Sequence, residues 1–484
     1  MPTSTYSDAS QERPAEHPLP VSRRKFLQRS AIAAAGGVLF NCTGGKVIPR
    51  VSDSSSPAMK ADTQWPIKRV IYVMLENRSF DNVFGRFPGV EGTKTGIMLG
   101  KEKPLVRCPD WLPGDLPHDR ASALLCLNSG AQDNFGTGEF GAVYGYSQFG
   151  GSEIPAYWHW ASEYAVSDHF FASAMGPSYP NHFFFIAGQA GGTVDNPENI
   201  GTSPMENGGI FKSWGCDAVG NGVFVFTKDE HKQLTKHNTC FTFKTVGEQL
   251  SEHGVSWANY AAPPGEIGYM WNAFNAVEGV FHTDLWHQHA TRRAGYMDRT
   301  GRMVDSDLLR DIQAGTLPSV SWVTPRFELS DHPPVSSGWT HNWVRELVNA
   351  VMISDMWEHT AIFLTWDEWG GFYDHVPPPV VDDVGLGFRV PLLTISPYTP
   401  RGLIDTEIGE FSTPLRFISD NWGLPHLTPR IRNTHNMSHM FDFKGSPRPA
   451  SPAPTKAPAF GDPLVFPTDF PGWKPGTVPT TNPF

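Results

Sequence analysis

Arg69-Val70-Ile71-Tyr72-Val73-Met74-Leu75 runs without a break into Glu76-Asn77-Arg78-Ser79-Phe80-Asp81, and this junction decides the fold. The first part is almost wholly apolar and rich in β-branched residues, the pattern of a strand covered on both faces, as in a parallel sheet. Three further runs read the same way: Ser319 to Val323, Ala361 to Trp366 and Val390 to Ile395. Helical periodicity marks Thr245 to His253, Trp343 to Trp357 and Thr413 to Trp422. Strands alternating with helices predict an α/β fold, with a mostly parallel central sheet flanked by helices. The region from about 85 to 240 reads as loop-rich, aromatic insertions over one edge of that sheet.

Open α/β sheets hold ligands beyond the carboxyl ends of their strands. Two of these strands end in polar clusters. The first delivers Glu76 and Asn77; Ala361 to Trp366 delivers Asp367-Glu368, followed by Gly370-Gly371 and Tyr373-Asp374-His375. Adjacent carboxylates at the end of a buried strand repel unless they share a cation. Glu76, Asn77, Asp367 and Glu368 are hard oxygen donors suited to one divalent ion of the Mg, Ca or Mn type, with Zn also compatible. The competing expectation is that these acids cap helices or face solvent, and their placement at two strand ends weighs against it.

Gly176-Pro177-Ser178-Tyr179-Pro180-Asn181-His182 reads as a tight turn ahead of the apolar run Phe183 to Ala187. Prolines on either side would hold the Ser178 hydroxyl rigidly. A serine attacks only when a base or metal activates it, so Ser178 is a nucleophile candidate if the fold carries it to the carboxylates.

Together, Glu76 to Asp81, Ser178-Tyr179-Pro180-Asn181 and Asp367-Glu368-Trp369-Gly370-Gly371-Phe372-Tyr373-Asp374-His375-Val376-Pro377 resemble three signatures of one family. It is the bacterial and plant phosphoesterase family that includes nonspecific phospholipases C and an acid phosphatase. Leu116-Pro117-His118-Asp119 and Asp331-His332-Pro333-Pro334 fall between them in the right order, and the resemblance runs from about 66 to 443. It implies an alkaline-phosphatase-like fold holding one divalent ion, with Glu76, Asn77, Asp367 and Glu368 as ligands. Ser178 would be both ligand and nucleophile, and His118 and His332 would line the phosphate site, one of them protonating the leaving alcohol. Arg78, Ser79 and Asp81 belong with the scaffold.

The sequence departs from the family at Trp369, where some members carry His, at Gly279, and near 405–412, where another His is missing. These positions concern the substrate more than the metal. The expected substrate is a phosphate ester, a phospholipid by the phospholipase C reading. A phosphomonoesterase on the same site is the alternative, and a binding protein that has lost the chemistry is a more distant one. A sulfatase reading fails because His182 stands where the formylglycine motif needs Arg.

The chain has 484 residues, with 49 acidic against 38 basic and a net charge of −11. That balance argues against nonspecific nucleic-acid binding and against a polybasic membrane patch, so no nucleic-acid partner is expected. Ser22-Arg23-Arg24-Lys25-Phe26-Leu27 followed by the apolar run Ala31 to Phe40 is a twin-arginine pattern, which predicts export to the periplasm or beyond by the twin-arginine machinery. No run is long enough to span a bilayer. Phe40 and Asn41 are too bulky before Cys42 for a lipid anchor there.

The expected organisation is a signal and cleavage region over 1–50, a linker over 51–64, the phosphoesterase domain over 65–444 and a Pro-rich surface segment over 445–484. The four later cysteines predict sequential bridges, Cys108–Cys126 and Cys216–Cys240. Trp158-His159-Trp160 and Trp286-His287-Gln288-His289 read as packing.

Overall fold

The structure, a computed structural model, describes residues 62–204, 210–218, 223–228, 231–382 and 384–459. The Arg23-Arg24 pattern, Cys42, the linker through residue 61 and the C-terminal stretch from 460 lie outside the described residues. Among the described residues no helix is long and apolar enough to cross a membrane.

Eight strands form the central sheet: β1 (Arg69–Leu75), β2 (Ala165–Ser167), β3 (Trp257–Ala261), β4 (Arg292–Arg293), β5 (Val320–Val323), β6 (Thr360–Trp366), β7 (Leu392–Ile395) and β8 (Leu403–Asp405). Their order is β4-β3-β5-β1-β6-β7-β2-β8. Neighbours are parallel except where β7 pairs with β6 and with β2. The run from Val390 to Ile395 is therefore a strand, but an antiparallel one. Burial on both faces makes its sequence look like that of its parallel neighbours, so direction leaves no trace in composition.

β1 and β6 lie side by side at the centre, in register from Arg69↔Thr360 to Leu75↔Trp366. Both are buried along almost their whole length. Because they end level, the residues that follow, Glu76 and Asp367, leave the sheet at one place, and the Asp367 amide donates to the Leu75 carbonyl over 2.9 Å.

The helices that matter here are α1 (Phe80–Phe84), α2 (Ser178–Ala187), α3 (Val246–Glu252), α4 (Ser337–Met352) and α5 (Ser412–Asn421). α3 begins with a capping box between Thr245 and Glu248. α4 starts earlier than its periodicity suggests and stops at Met352; it buries Thr340, Trp343, Val344, Leu347, Val348 and Val351 as one stripe. The expected turn over 176–182 is instead the entry to α2. Pro180 sits in the first helical turn, where its missing amide costs no bond. α2 lies on the sheet, with Phe185 against Tyr72 at 4.3 Å between ring centroids and its carbonyl accepting from Trp322 Nε1.

Insertions between 85 and 240 include the hairpins Thr95–Met98 with Lys101–Pro104 and Val225–Lys228 with Leu234–His237. The same region also supplies β2 to the sheet itself, since three residues are too few to show a pattern in sequence. Many tryptophans are core: Trp160, Trp257, Trp322, Trp343 and Trp366 are fully buried, and His289 stacks on Trp257.

Cys216 and Cys240 are bonded, whereas Cys108 and Cys126 are free and buried. The expected 108–126 bridge is absent because Cys108 packs in the main core while Cys126 belongs to a separate cluster around Phe135, Tyr146 and Trp369.

The described part of the C-terminal segment wraps α4. Asn349 exchanges two hydrogen bonds with the backbone of Ala453, and Asn342 does the same with Ala457.

Candidate active site

The site is built where β1 and β6 end. Asn77 turns the chain with φ 59°, a left-handed conformation that asparagine tolerates better than most residues. Its amide donates to Asp367 Oδ1 over 2.9 Å, and the Glu368 amide donates to the same oxygen over 2.8 Å. Glu368 Oε2 accepts from the Gly370 amide at 2.8 Å. Gly370 and Gly371 both have positive φ, and a Cβ on Gly370 would stand 2.5 Å from the Asn77 carbonyl oxygen. Gly370 is thus required by the close approach of the two strand-end turns, and Gly371 by the 115–118 turn, where a Cβ would stand 2.6 Å from Leu116 Cβ.

Ser178, the first residue of α2, is buried and donates to Glu76 Oε2 over 3.2 Å. Helical spacing puts His182 on the same face. Its Nε2 lies 2.8 Å from Glu76 Oε1 and 3.7 Å from Asp367 Oδ2, while Nδ1 meets the Trp271 carbonyl at 3.0 Å. The fold therefore brings Glu76, Asn77, Ser178, Asp367 and Glu368 together, all buried.

Burial pushes the carboxyls of Glu76 and Glu368 well above the usual range, and the Glu368 group also feels Asp367, Glu76 and Asp115. Asp367 is pushed up to about 7 by burial and by Glu76. Asn77 Oδ1, Asp367 Oδ2 and Glu368 Oε1 are shut off from solvent without a hydrogen-bond partner. Three acids forced toward neutrality, beside three orphaned oxygens on Asn77, Asp367 and Glu368, fit a hard divalent cation as the missing partner.

His118 and His332 stand together beside this centre, 5.4 Å between ring centroids. Asn77 Nδ2 lies 3.5 Å from His118 Nε2, which orients the amide so that its oxygen is left for other use. His118 Nδ1 meets the Leu116 carbonyl at 2.6 Å, with Asp115 Oδ2 3.5 Å away. Burial pushes the Asp115 carboxyl up to about 6, against the pull of His118. His332 directs Nδ1 at the Pro333 carbonyl over 2.6 Å and is flanked by Trp271 and Phe327. Burial, and then His118, lower it well below the normal imidazole range, so its ring is neutral at pH 7.

Sequence reading missed His182 and Asp115. Their offsets from Ser178 and His118 were the available signal, but neither spacing means anything until α2 and the 115–118 turn are placed.

The other motif residues form the scaffold. The Arg78 guanidinium is buried over Phe372 at 4.5 Å and donates to the Asp331 carbonyl and to Ser337 Oγ. Ser79 Oγ caps α1 and donates to the Tyr373 carbonyl. Asp81 binds His375, and Asp374 pairs with the buried Arg389.

The model of the Phosphoesterase family matches residues 67–425. The hemolytic phospholipase C of Pseudomonas aeruginosa is 24% identical over 485 residues, covering 88% of this chain and 62% of that protein. The chain therefore spans under two thirds of that relative's length. Phospholipase C B of Mycobacterium tuberculosis is 26% identical over 515 residues, covering 90% of this chain and 89% of that protein. Among solved structures, an alkaline phosphatase superfamily protein from Vibrio parahaemolyticus aligns at 10% identity with TM-score 0.36, over 77% of this chain and 70% of that one.

Proposed function

The chain belongs to the phosphoesterase family, and from that premise we propose that it is an exported, metal-dependent hydrolase of phosphodiesters, acting in the manner of a phospholipase C with Ser178 as nucleophile. The observation that carries this reading is the hydroxyl of Ser178 set 3.2 Å from Glu76 Oε2, beside orphaned oxygens on Asn77, Asp367 and Glu368. The names of the relatives support diester cleavage over the monoesterase alternative. The twin-arginine pattern at Arg23-Arg24 supports export.

Glu76, Asn77, Asp367, Glu368 and Ser178 would hold the cation, which supplies positive charge against the acids and the equatorial phosphate oxygens. Ser178 Oγ passes its proton to Glu76 Oε2 and attacks phosphorus in line as the bond from phosphorus to the leaving alcohol breaks, forming a phosphoserine. His182, fixed by the Trp271 carbonyl, keeps the Glu76 carboxyl in position. His118 is the better proton donor to the leaving alcohol, because Asp115 lies 3.5 Å from its ring, whereas His332 is held neutral by burial. Nδ1 of both rings is occupied by a backbone carbonyl, so Nε2 is the atom left to meet substrate, His118 giving up its 3.5 Å contact with Asn77 to do so. Water then cleaves the phosphoserine.

The test is release of p-nitrophenol from p-nitrophenylphosphorylcholine and from p-nitrophenyl phosphate by purified protein, before and after chelation. Chelator-sensitive release that prefers the diester, and that falls by about a thousandfold or more in Ser178→Ala, is expected. Wild-type turnover in Ser178→Ala would overturn the covalent route, and preference for the monoester would assign the phosphatase instead.

A further inference from the structure

A second group of ligating side chains lies at the β8 edge of the sheet, outside the site just described. β8 leads into Glu407, and the segment His435-Asn436-Met437-Ser438-His439 packs back beside it. His435 Nδ1 and His439 Nδ1 stand 3.9 Å and 3.8 Å from Glu407 Oε2. One ligating atom from each of the three residues lies within 4.8 Å of the others. Tetrahedral zinc, with bonds of about 2.0–2.1 Å, keeps its ligand atoms about 3.4 Å apart, so only a small closure is needed.

The surroundings are prepared for an ion in ways that chance proximity does not explain. His439 Nε2 meets Asp405 Oδ1 at 2.8 Å, which leaves Nδ1 facing Glu407. Asp405 is itself buried and fixed, accepting from Ser167 Oγ at 2.9 Å and from the Glu407 amide at 3.3 Å. A carboxylate behind a histidine, bonded to the nitrogen turned away from the ion, is the usual support of a metal-ligating imidazole. His435 is only lightly held at the nitrogen that faces Glu407: Nδ1 receives a long contact of 3.3 Å from the Met437 amide, which an ion would displace.

The backbone carrying the histidines is anchored. Asn436 donates to Asp420 Oδ2 at 2.8 Å, Thr434 bonds Thr413 at 2.7 Å, and Met437 is fully buried. Glu407, more than half exposed, is free to swing onto an ion. Two imidazoles and a carboxylate are a donor set for zinc rather than for magnesium or calcium.

We propose that Glu407, His435 and His439 bind a zinc ion, separate from the cation of the strand-end site, with Asp405 positioning His439. The ion would clip the segment after β8 to the 435–439 segment and leave a coordination position open to solvent.

The experiment strips the full-length protein with chelator, dialyses it against zinc and counts bound metal by elemental analysis. His435→Ala and His439→Ala should each retain one equivalent less than the wild type. Asp367→Asn, which addresses the strand-end site, should still hold the equivalent that those two lose. Glu407→Gln, at an exposed position that cannot disturb packing, should weaken zinc binding without changing the circular dichroism. Asp405→Asn should weaken it about 10- to 100-fold while leaving the stoichiometry reachable at higher zinc. In zinc-soaked crystals an anomalous peak should stand between the three side chains. Equal zinc content in the wild type and both histidine variants, or an anomalous map empty at His439, would overturn the proposal.

Discussion

Asp367 carries an acid-base consequence that needs no substrate to detect. A carboxyl titrates near 4 in an unfolded chain, yet burial and Glu76 push Asp367 up to about 7, and burial raises Glu76 and Glu368 well above the usual carboxyl range. The metal-stripped folded state therefore binds more protons than the unfolded state above pH ~4. The stability these groups contribute is full below that pH and is lost as pH rises through ~7. A bound cation favours the ionised carboxylates and removes the penalty. Melting temperatures of chelated and metal-loaded protein should diverge steadily between pH 5 and 8, the chelated form falling faster; a constant gap would show that these acids do not hold the ion. At the same scale, His118→Ala should slow phosphatidylcholine turnover, where an alcohol must be protonated, by about 10²–10⁴-fold. It should slow p-nitrophenylphosphorylcholine far less, because nitrophenolate leaves without help. Equal losses on both substrates would remove His118 from the proton-transfer role.

At the scale of the element, the site depends on two strands ending level and on a glycine turn that lets them approach. Gly370→Ala sets a Cβ 2.5 Å from the Asn77 carbonyl oxygen in a left-handed conformation. It should destabilise the protein by about 1–3 kcal/mol and weaken metal binding, as read by thermal melting and metal titration. Much of this geometry was legible beforehand. β1 and β6 are long enough for their apolar runs to be unmistakable, and Glu76, Asn77, Asp367 and Glu368 follow them directly. What stayed hidden was whatever depends on partners distant in sequence. β2, β4 and β8 are too short to carry a pattern, β7 conceals its direction, and Pro177 and Pro180 made the start of α2 look like a turn. His182 became visible as a site residue only once α2 lay against β1.

For the molecule as a whole, the C-terminal segment acts as a strap. Asn342 and Asn349 each clamp a backbone unit of that segment reciprocally, and those units, Ala453 and Ala457, are themselves buried. At about 1 kcal/mol per hydrogen bond, deleting residues 450–484 should lower stability by several kcal/mol, seen as a lower melting temperature in a thermal scan. An unchanged melting temperature would make the strap ornamental. The reversed direction of β7 has a different consequence. A connection between parallel strands must travel back across the sheet, but the stretch from Asp367 to Pro391 leaves β6 and enters β7 at the same end. Its two anchor points are therefore fixed near the reaction centre, while its tip, with Val380 87% exposed, does not have to cross the sheet. Residues can be added or removed around Val380 without shifting a strand, so the rim can be re-engineered there independently of the catalytic frame.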